Sequence, residues 1–437
     1  MILAPMILVQ SFLAPGALAL AAVHAADSVP AEPSAQKLRA DALVLQAAEV
    51  HVGDGAVFKP GLVILLDGKV VAAGQSLPLP AGANVIDCGN AVITPGLVDA
   101  ACQLGTSALF GSAEQGSEVI PQLDMWDALD LYSKDFEQLV ADGVTTVFIT
   151  GEASSVISAK GTAVKTGGPI GERRVAVKPI VKATLGPESS QRGAGNRSPS
   201  RFGGVNYTAR RPTTRMGSAW VFRKAFHDSI AFRDAGKPSN DGLEPDAMRA
   251  LADVLAGKTA LRMQVREALD FYTSVKLADE FGLSFTYEYA TEAAQCIDLL
   301  VARKLPVIFG PVRTTDSTFE QFEAAQPALD TARLLAEKGV PFCLTASDAS
   351  GEGGLPRQAG VAIRNGLDRA RALRAVTSDP AAMVGLEGRV GRLAPGLDAD
   401  LVVWNGMPFD DTAKPVLVLI HGRPVLDLQG KFRKENS

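Results

Sequence analysis

Histidine is scarce in this chain: four residues in 437, at His24, His51, His227 and His421. No two of them lie close enough in sequence to form a local metal pair, so a site built mainly from imidazoles has almost no material. A basic excess is missing too. Lys and Arg number 43 against 48 Asp and Glu, a net charge of -5, which argues against a nucleic-acid partner. Aromatics make up only 6%, but hydrophobic residues reach 47%, enough to exclude wholesale disorder. The four cysteines, Cys88, Cys102, Cys296 and Cys343, form no CxxC motif and sit in apolar sequence, so they read as buried free thiols. No Gly-x-Ser-x-Gly elbow occurs, and without placed histidines a Ser or Cys triad has no base.

The N-terminus is apolar, with no charged side chain before Asp27 except for the titratable His24. Val23-His24-Ala25 before Ala26 places small residues as a signal peptidase requires, so residues 1–26 read as an export signal and 27–41 as a leader. Pro5 and Pro15 break the run, which falls short of the ~20 residues of a membrane span. The mature chain is then expected in the periplasm or outside the cell, with no stable membrane span.

Length allows two to three domains, or one large barrel with an appendage. Short β-prone segments come first, at 42–50, 61–66 and 84–87, with Asp67-Gly68-Lys69 as a hairpin turn. β-prone segments return at 400–404, 415–420 and 424–428, which predicts one small β-domain assembled from both ends. Between them strands alternate with helices. Strands are predicted at 97–104, 144–150, 175–181, 260–265, 283–289, 306–309 and 341–345, and helices at 244–256, 268–280 and 325–338. Repeated βα units imply a parallel sheet, and seven or eight imply a closed barrel; the eighth strand is placed at 156–164, where Gly161 weakens it.

Five stretches carry a family resemblance. Ala91-Val92-Ile93-Thr94-Pro95-Gly96-Leu97-Val98-Asp99-Ala100 looks like the lead-in to the first barrel strand of the amidohydrolase superfamily. Thr377-Ser378-Asp379-Pro380-Ala381-Ala382, and the run from Gly391 through Asp398-Ala399-Asp400 to Trp404, resemble the same family's return from barrel to β-domain. Gly143-Val144-Thr145-Thr146-Val147 and Pro212-Thr213-Thr214-Arg215-Met216-Gly217 are similar to its imidazolonepropionase-like branch. The resemblance implies a (β/α)8 TIM-like barrel at 95–390 and a composite β-sandwich from 42–94 and 391–434. It also implies ancestry among metal-dependent hydrolases of C–N bonds.

In that family a divalent ion supplies hydroxide by lowering the pKa of bound water. A His-x-His pair on the first strand, two later histidines and a terminal aspartate hold it. At the matching places this chain has Ala101 and Gln103, then Gln264 and Tyr289. Ala101 has no donor atom, and a neutral carboxamide is a poor zinc ligand. Asp348 matches the terminal aspartate, and Lys182 sits where a middle-strand lysine is expected. Cys102, Glu288 and Asp348 lie near strand ends, but alternation turns Cys102 and Glu288 towards the helix layer. The expectation is therefore no metal cofactor, or a zinc-type ion if a rearranged site persists. Asp348 reads either as a general base or as a structural carboxylate bonded to loop amides or to Lys182. His51, His227 and His421 read as surface or turn residues.

One segment is unusual in charge. From Arg192 to Lys224 there are eight basic residues and no acidic one. Arg210, Arg211 and Arg215 could clamp an anionic ligand; the alternative is a solvated loop, or one ordered against a second copy. Two functional readings remain open: a pseudoenzyme with a binding or assembly role, as a homo-oligomer or beside an active relative, and an active hydrolase of small amides or peptides working through Asp348 and Lys182.

Overall fold

The computed structural model describes residues 42–79, 82–106, 114, 116–190, 212–239, 242–312, 328–346 and 354–432. The expected signal and leader, Arg210, Arg211 and Asp348 lie outside the described residues.

Seven strands open the chain: β1 (Leu43–Ala47), β2 (Glu49–His51), β3 (Val57–Phe58), β4 (Gly61–Leu66), β5 (Lys69–Gly74), β6 (Asn84–Asp87) and β7 (Val92–Pro95). The β4–β5 turn is Asp67-Gly68, both with positive φ, as the sequence suggests for a tight hairpin. Three strands close the chain: β18 (Leu401–Trp404), β19 (Pro415–Ile420) and β20 (Arg423–Asp427). One sheet has the order β5-β4-β1-β6; the other runs β20-β19-β18-β7-β2-β3 and so joins both ends of the chain. The two sheets bury a common core, with Leu45, Val63 and Leu65 from the first against Ile93, Leu401, Val403 and Leu419 from the second. Trp404, 1% exposed, ties the join by donating its indole N–H to Thr94 Oγ1 at 2.9 Å.

The central strands are β8 (Leu97–Cys102), β9 (Val144–Ile149), β10 (Ile157–Lys160), β11 (Thr162–Lys165), β12 (Arg174–Val175), β13 (Ile180–Thr184), β14 (Ala260–Val265), β15 (Phe285–Tyr289), β16 (Val307–Phe309) and β17 (Phe342–Leu344). β8 and β9 are parallel, as are β13 through β17 in sequence order. Helices α1 (Lys134–Ala141), α3 (Arg215–Ala235), α4 (Pro245–Leu255), α5 (Ala268–Phe281), α6 (Ile297–Arg303), α7 (Thr331–Glu337), α8 (Gly354–Arg364), α9 (Arg369–Ala375) and α10 (Ser378–Met383) alternate with them, and α2 (Pro187–Ser190) is a single turn after β13. Helix and outer strand residues share one core, for example Phe271 of α5 with Tyr287 of β15, ring centroids 4.6 Å apart.

The closed hydrogen-bonded ring expected from the sequence is not what the strands make. They form two arcs, β12-β11-β9-β8 and β10-β13-β14-β15-β16-β17. The expected eighth strand exists but runs antiparallel to both neighbours, β10 against β13 and β11 against β9. Gly161 joins its halves because a Cβ there would lie 2.3 Å from the Phe148 ring. At the other seam Thr345 Oγ1 donates to Asp99 Oδ1 at 2.6 Å, so side-chain bonds rather than a ladder link β17 to β8. The strand expected at 175–181 is also displaced. Pro179 has no N–H to give a ladder, and the pairing strand begins after it, at Ile180.

The sandwich and the central strands meet at a buried ion cluster. Lys165 of β11, 1% exposed, pairs with Asp400 and with Asp398 Oδ2 at 3.2 Å. Asp398 also meets Lys69 at 2.6 Å, Arg389 at 3.3 Å and His421 at 3.8 Å. Burial alone would raise the Asp398 pKa, but Lys165, Lys69, His421 and Arg389 together hold it below the usual carboxylate value. No helix among the described residues is long and apolar enough to cross a membrane.

Because the folded pKa of Asp398 is depressed, its stabilisation is present above the unfolded value of about 3.9 and is lost as pH falls through the folded one. The thermal midpoint is therefore expected to hold down to about pH 4 and then drop. Asp398→Asn should lower the midpoint at neutral pH and flatten the acid drop, and an unchanged acid limb would refute the assignment. Lys165→Met leaves two carboxylates facing each other out of water. Urea unfolding should show a loss of about 3–5 kcal/mol.

Candidate functional site

In parallel strands, register partners point to the same face and alternate residues to opposite faces. Lys182 of β13 is in register with Arg262 of β14, and Thr184 with Gln264 and then Glu288 of β15. Between them, Tyr287 points outward, its hydroxyl 2.7 Å from Ser274 of α5. Lys182, Thr184, Arg262, Gln264 and Glu288 thus share the inner face. All five are at most 1% exposed.

An ion chain occupies this face. Lys182 Nζ lies 2.7 Å from Glu288 Oε1, and Arg262 Nη1 lies 3.4 Å from Glu288 Oε2. Thr150, at the end of β9, donates its hydroxyl to Glu288 Oε2 at 3.2 Å. Arg262 Nη1 also donates to the Ala100 carbonyl of β8 at 2.5 Å, and its Cζ stands 4.4 Å over the Phe148 ring. Burial lowers the pKa of the Lys182 ammonium, while Glu288 pulls it back up. Burial lowers that of the Arg262 guanidinium as well, against the pull of Glu288. Asp99 lies next to Ala100 and is 1% exposed. Burial raises its pKa, but Thr345 Oγ1, the Ala101 N–H at 3.0 Å and the Ala346 N–H at 2.8 Å all donate to its carboxylate.

This arrangement corrects one expectation. Glu288 does not face the helix layer; it faces inward, in register with Gln264, and its Oε1 lies 2.7 Å from Lys182 Nζ. Tyr289 ends the strand at φ +65, a conformation unusual for a residue with a bulky side chain, so simple alternation fails there. Its ring lies 5.2 Å from Lys182 Nζ and 4.7 Å from the Arg266 guanidinium.

The other expected positions are also occupied by local bonds. Ala101 is buried and its carbonyl accepts from Thr345 at 2.9 Å. Gln103 donates to the Gly151 carbonyl at 3.3 Å. Gln264 donates to Glu188 Oε1 at 3.3 Å, and Arg266 pairs with the same carboxylate. Cys102 is buried in the core shared by strands and helices, and all four cysteines are free thiols. The Arg215 guanidinium is held by Asp270 at 3.0 Å and Glu267 at 3.0 Å. His51 differs from the surface reading, being half-buried on β2 and 3.1 Å from Glu49. His227 is exposed on α3, and His421 sits in the β19–β20 turn.

Whether these residues fit a zinc-type ion is a matter of donors and charge. Among the described residues no group of three His, Cys, Asp or Glu side chains is placed to hold a metal. Glu288 is already held by two cations, and a divalent ion beside them would be repelled. The described residues do not fit the ion. Sequence reasoning missed Arg262, Asp99 and Thr150, although polar residues at i and i+2 in an otherwise apolar strand (Arg262 and Gln264) were there to be read.

A parallel α/β core of this kind, joined to a sandwich built from both chain ends, is the architecture of the C–N hydrolase lineage that the motifs resemble. The sequence profile of the amidohydrolase family matches residues 323–426. The amidohydrolase tasK of Hapsidospora irregularis is 23% identical over 393 residues, 84% of this chain and 39% of that protein. A 5-methylthioadenosine/S-adenosylhomocysteine deaminase of Halobacterium salinarum is 31% identical over 102 residues, 22% of this chain and 21% of that one. The chain thus spans well under half the length of these curated relatives. The crystal structure of an amidohydrolase from Thermotoga maritima superposes with a TM-score of 0.77 at 28% identity, covering 88% of this chain and all (100%) of that one. The family model, the curated relatives and the solved structure agree that this chain is similar to the amidohydrolase superfamily.

Glu288→Ala, which leaves Lys182 and Arg262 facing each other in the interior, should cost about 3–5 kcal/mol in chemical unfolding. Replacing both members of the 2.7 Å pair, as Lys182→Met with Glu288→Leu, should recover much of that loss. A double variant as unstable as the sum of the single ones would show that the two side chains act separately.

Proposed function

We propose that this protein is a metal-free member of the amidohydrolase superfamily that has kept the scaffold and serves a binding or assembly role. The observation that carries the reading is Glu288, held between Lys182 and Arg262 where a metal-binding interior would present free ligands. Superfamily chemistry depends on a cation-activated water, and this interior spends its carboxylate on its own cations. We infer that the two arcs of strands belong to one (β/α)8-type barrel, whose inner face is the place where such chemistry would occur. The apolar N-terminus supports export, with a periplasmic or extracellular location for the mature chain. A partner would then be a second copy or an active relative, a reading that fits the greater length of tasK.

A second reading has one observation in its favour. The Lys182 amine is pushed towards neutrality by burial, as a general base would be. It would act with Asp348 on small amides or peptides. The ion pair to Glu288 opposes that push by favouring the charged amine.

Metal analysis of the purified mature protein after dialysis against zinc or manganese separates the two cases. The first reading expects less than stoichiometric metal and no turnover of dipeptides or N-acyl amino acids above buffer. Stoichiometric zinc with turnover would overturn it. If turnover is found without metal, Asp348→Ala and Lys182→Met should each abolish it under the second reading.

A further inference from the structure

Helices in a βα repeat run back against their strands, so each helix ends where the next strand begins. Where α4 and α5 end beside the starts of β14 and β15, the chain leaves a cavity of about 560 Å³ open to solvent. That lies within the roughly 300–1,000 Å³ of small-molecule sites, in a fold whose packed interior would ordinarily hold few voids larger than a water. Its walls include Leu261 and Phe285, register partners on β14 and β15, and Val275 of α5. Each of the three is at most 8% exposed. Leu261 precedes Arg262, so the two point to opposite faces of the strand. The sheet therefore separates this cavity from the ion chain of Lys182, Arg262 and Glu288.

The rim carries positive charge. Lys178, Arg303 and Lys304 line it, against one lining carboxylate, Asp279. Asp279 pairs with Arg303, and Lys304 has no ion pair among the described residues. Lys178 Nζ donates to the Gly257 carbonyl at 2.7 Å, which holds its ammonium at the cavity edge. An ammonium has three donors, so that bond leaves others for a ligand. The helices already close their own ends. The Leu283 N–H donates to the Ala278 carbonyl of α5 at 2.9 Å, and the Leu305 N–H to the Leu300 carbonyl of α6 at 3.1 Å.

We propose that this cavity binds a small carboxylate with an apolar body, its head at Lys178 and Lys304 and its body against Leu261, Val275 and Phe285. Both ammonium groups can donate to one carboxylate, and the apolar wall takes the rest of the molecule out of water. The inference goes beyond the reading of the inner face and does not depend on whether metal binds there.

The test is calorimetric titration of the full mature chain with sodium octanoate, n-octylamine and 1-octanol, which share an alkyl chain. Wild type should bind octanoate saturably, one per chain, and the amine and the alcohol about tenfold more weakly or less. Lys178→Glu with Lys304→Glu should weaken octanoate by about tenfold or more. Ser284 is an exposed lining residue, and Ser284→Trp, which sets a ring in the mouth, should abolish binding. Lys304→Met separates a ligand role from support of the α6 end, and it should weaken octanoate severalfold. A lower thermal midpoint with wild-type affinity would instead assign that ammonium to the helix end and overturn the inference. So would a wild type that binds no octanoate, equal binding of all three probes, or octanoate binding untouched by Ser284→Trp. Each of these results leaves the metal-free reading standing, since metal analysis decides that separately.

Discussion

The interior of this molecule depends on the neutralisation of one buried carboxylate. Glu288 is 0% exposed, and an isolated charge so placed would be far too costly to keep. Lys182 and Arg262 flank it and Thr150 donates to it, so both of its oxygens have partners in a dry site. Each of these side chains comes from a different strand: β13, β14, β15, and the end of β9. Their separation fixes the register of the strands, because a one-residue slip of any strand would turn its member outward into the helix layer.

The second ion cluster serves a different junction. Lys165 leaves the antiparallel arm and reaches Asp398 and Asp400 just ahead of β18. Those two aspartates belong to the Asp398-Ala399-Asp400 motif that helped mark the family. The described structure gives them a structural purpose: Asp398 gathers Lys69, Lys165 and Arg389, while Asp400 also accepts the His421 backbone N–H at 2.9 Å. These residues join the two parts whatever chemistry the chain performs.

Much of the architecture was legible in the sequence. Alternating apolar residues and the Asp67-Gly68 turn reveal the hairpins, and the β-prone segments at both ends point to the sandwich sheet in which β7 pairs with β18. The antiparallel direction of β10 and β11 was not legible, because alternation does not encode which way a neighbour runs. Nor was the facing of Glu288. Strict alternation back from an inward Tyr289 turns Glu288 outward, and only the positive φ at Tyr289, a tertiary constraint, breaks that count. Ala101, Gln103 and Gln264 were singled out by motif spacing. The partners of these residues (Thr345, Gly151 and Glu188) were not legible, because they come from distant parts of the chain.

The join at Trp404 also sets an order of events during synthesis. The indole and its acceptor Thr94 lie 310 positions apart, and β7 finds its antiparallel partner only in β18. Strands β2 and β7 emerge from the ribosome long before that partner exists, with a free edge of N–H and C=O groups that can template wrong pairings. Such long-range pairing is slow, since most of the chain must be closed into a loop before the contact forms. The amino-terminal strands therefore present an unfinished edge until β18 is in place.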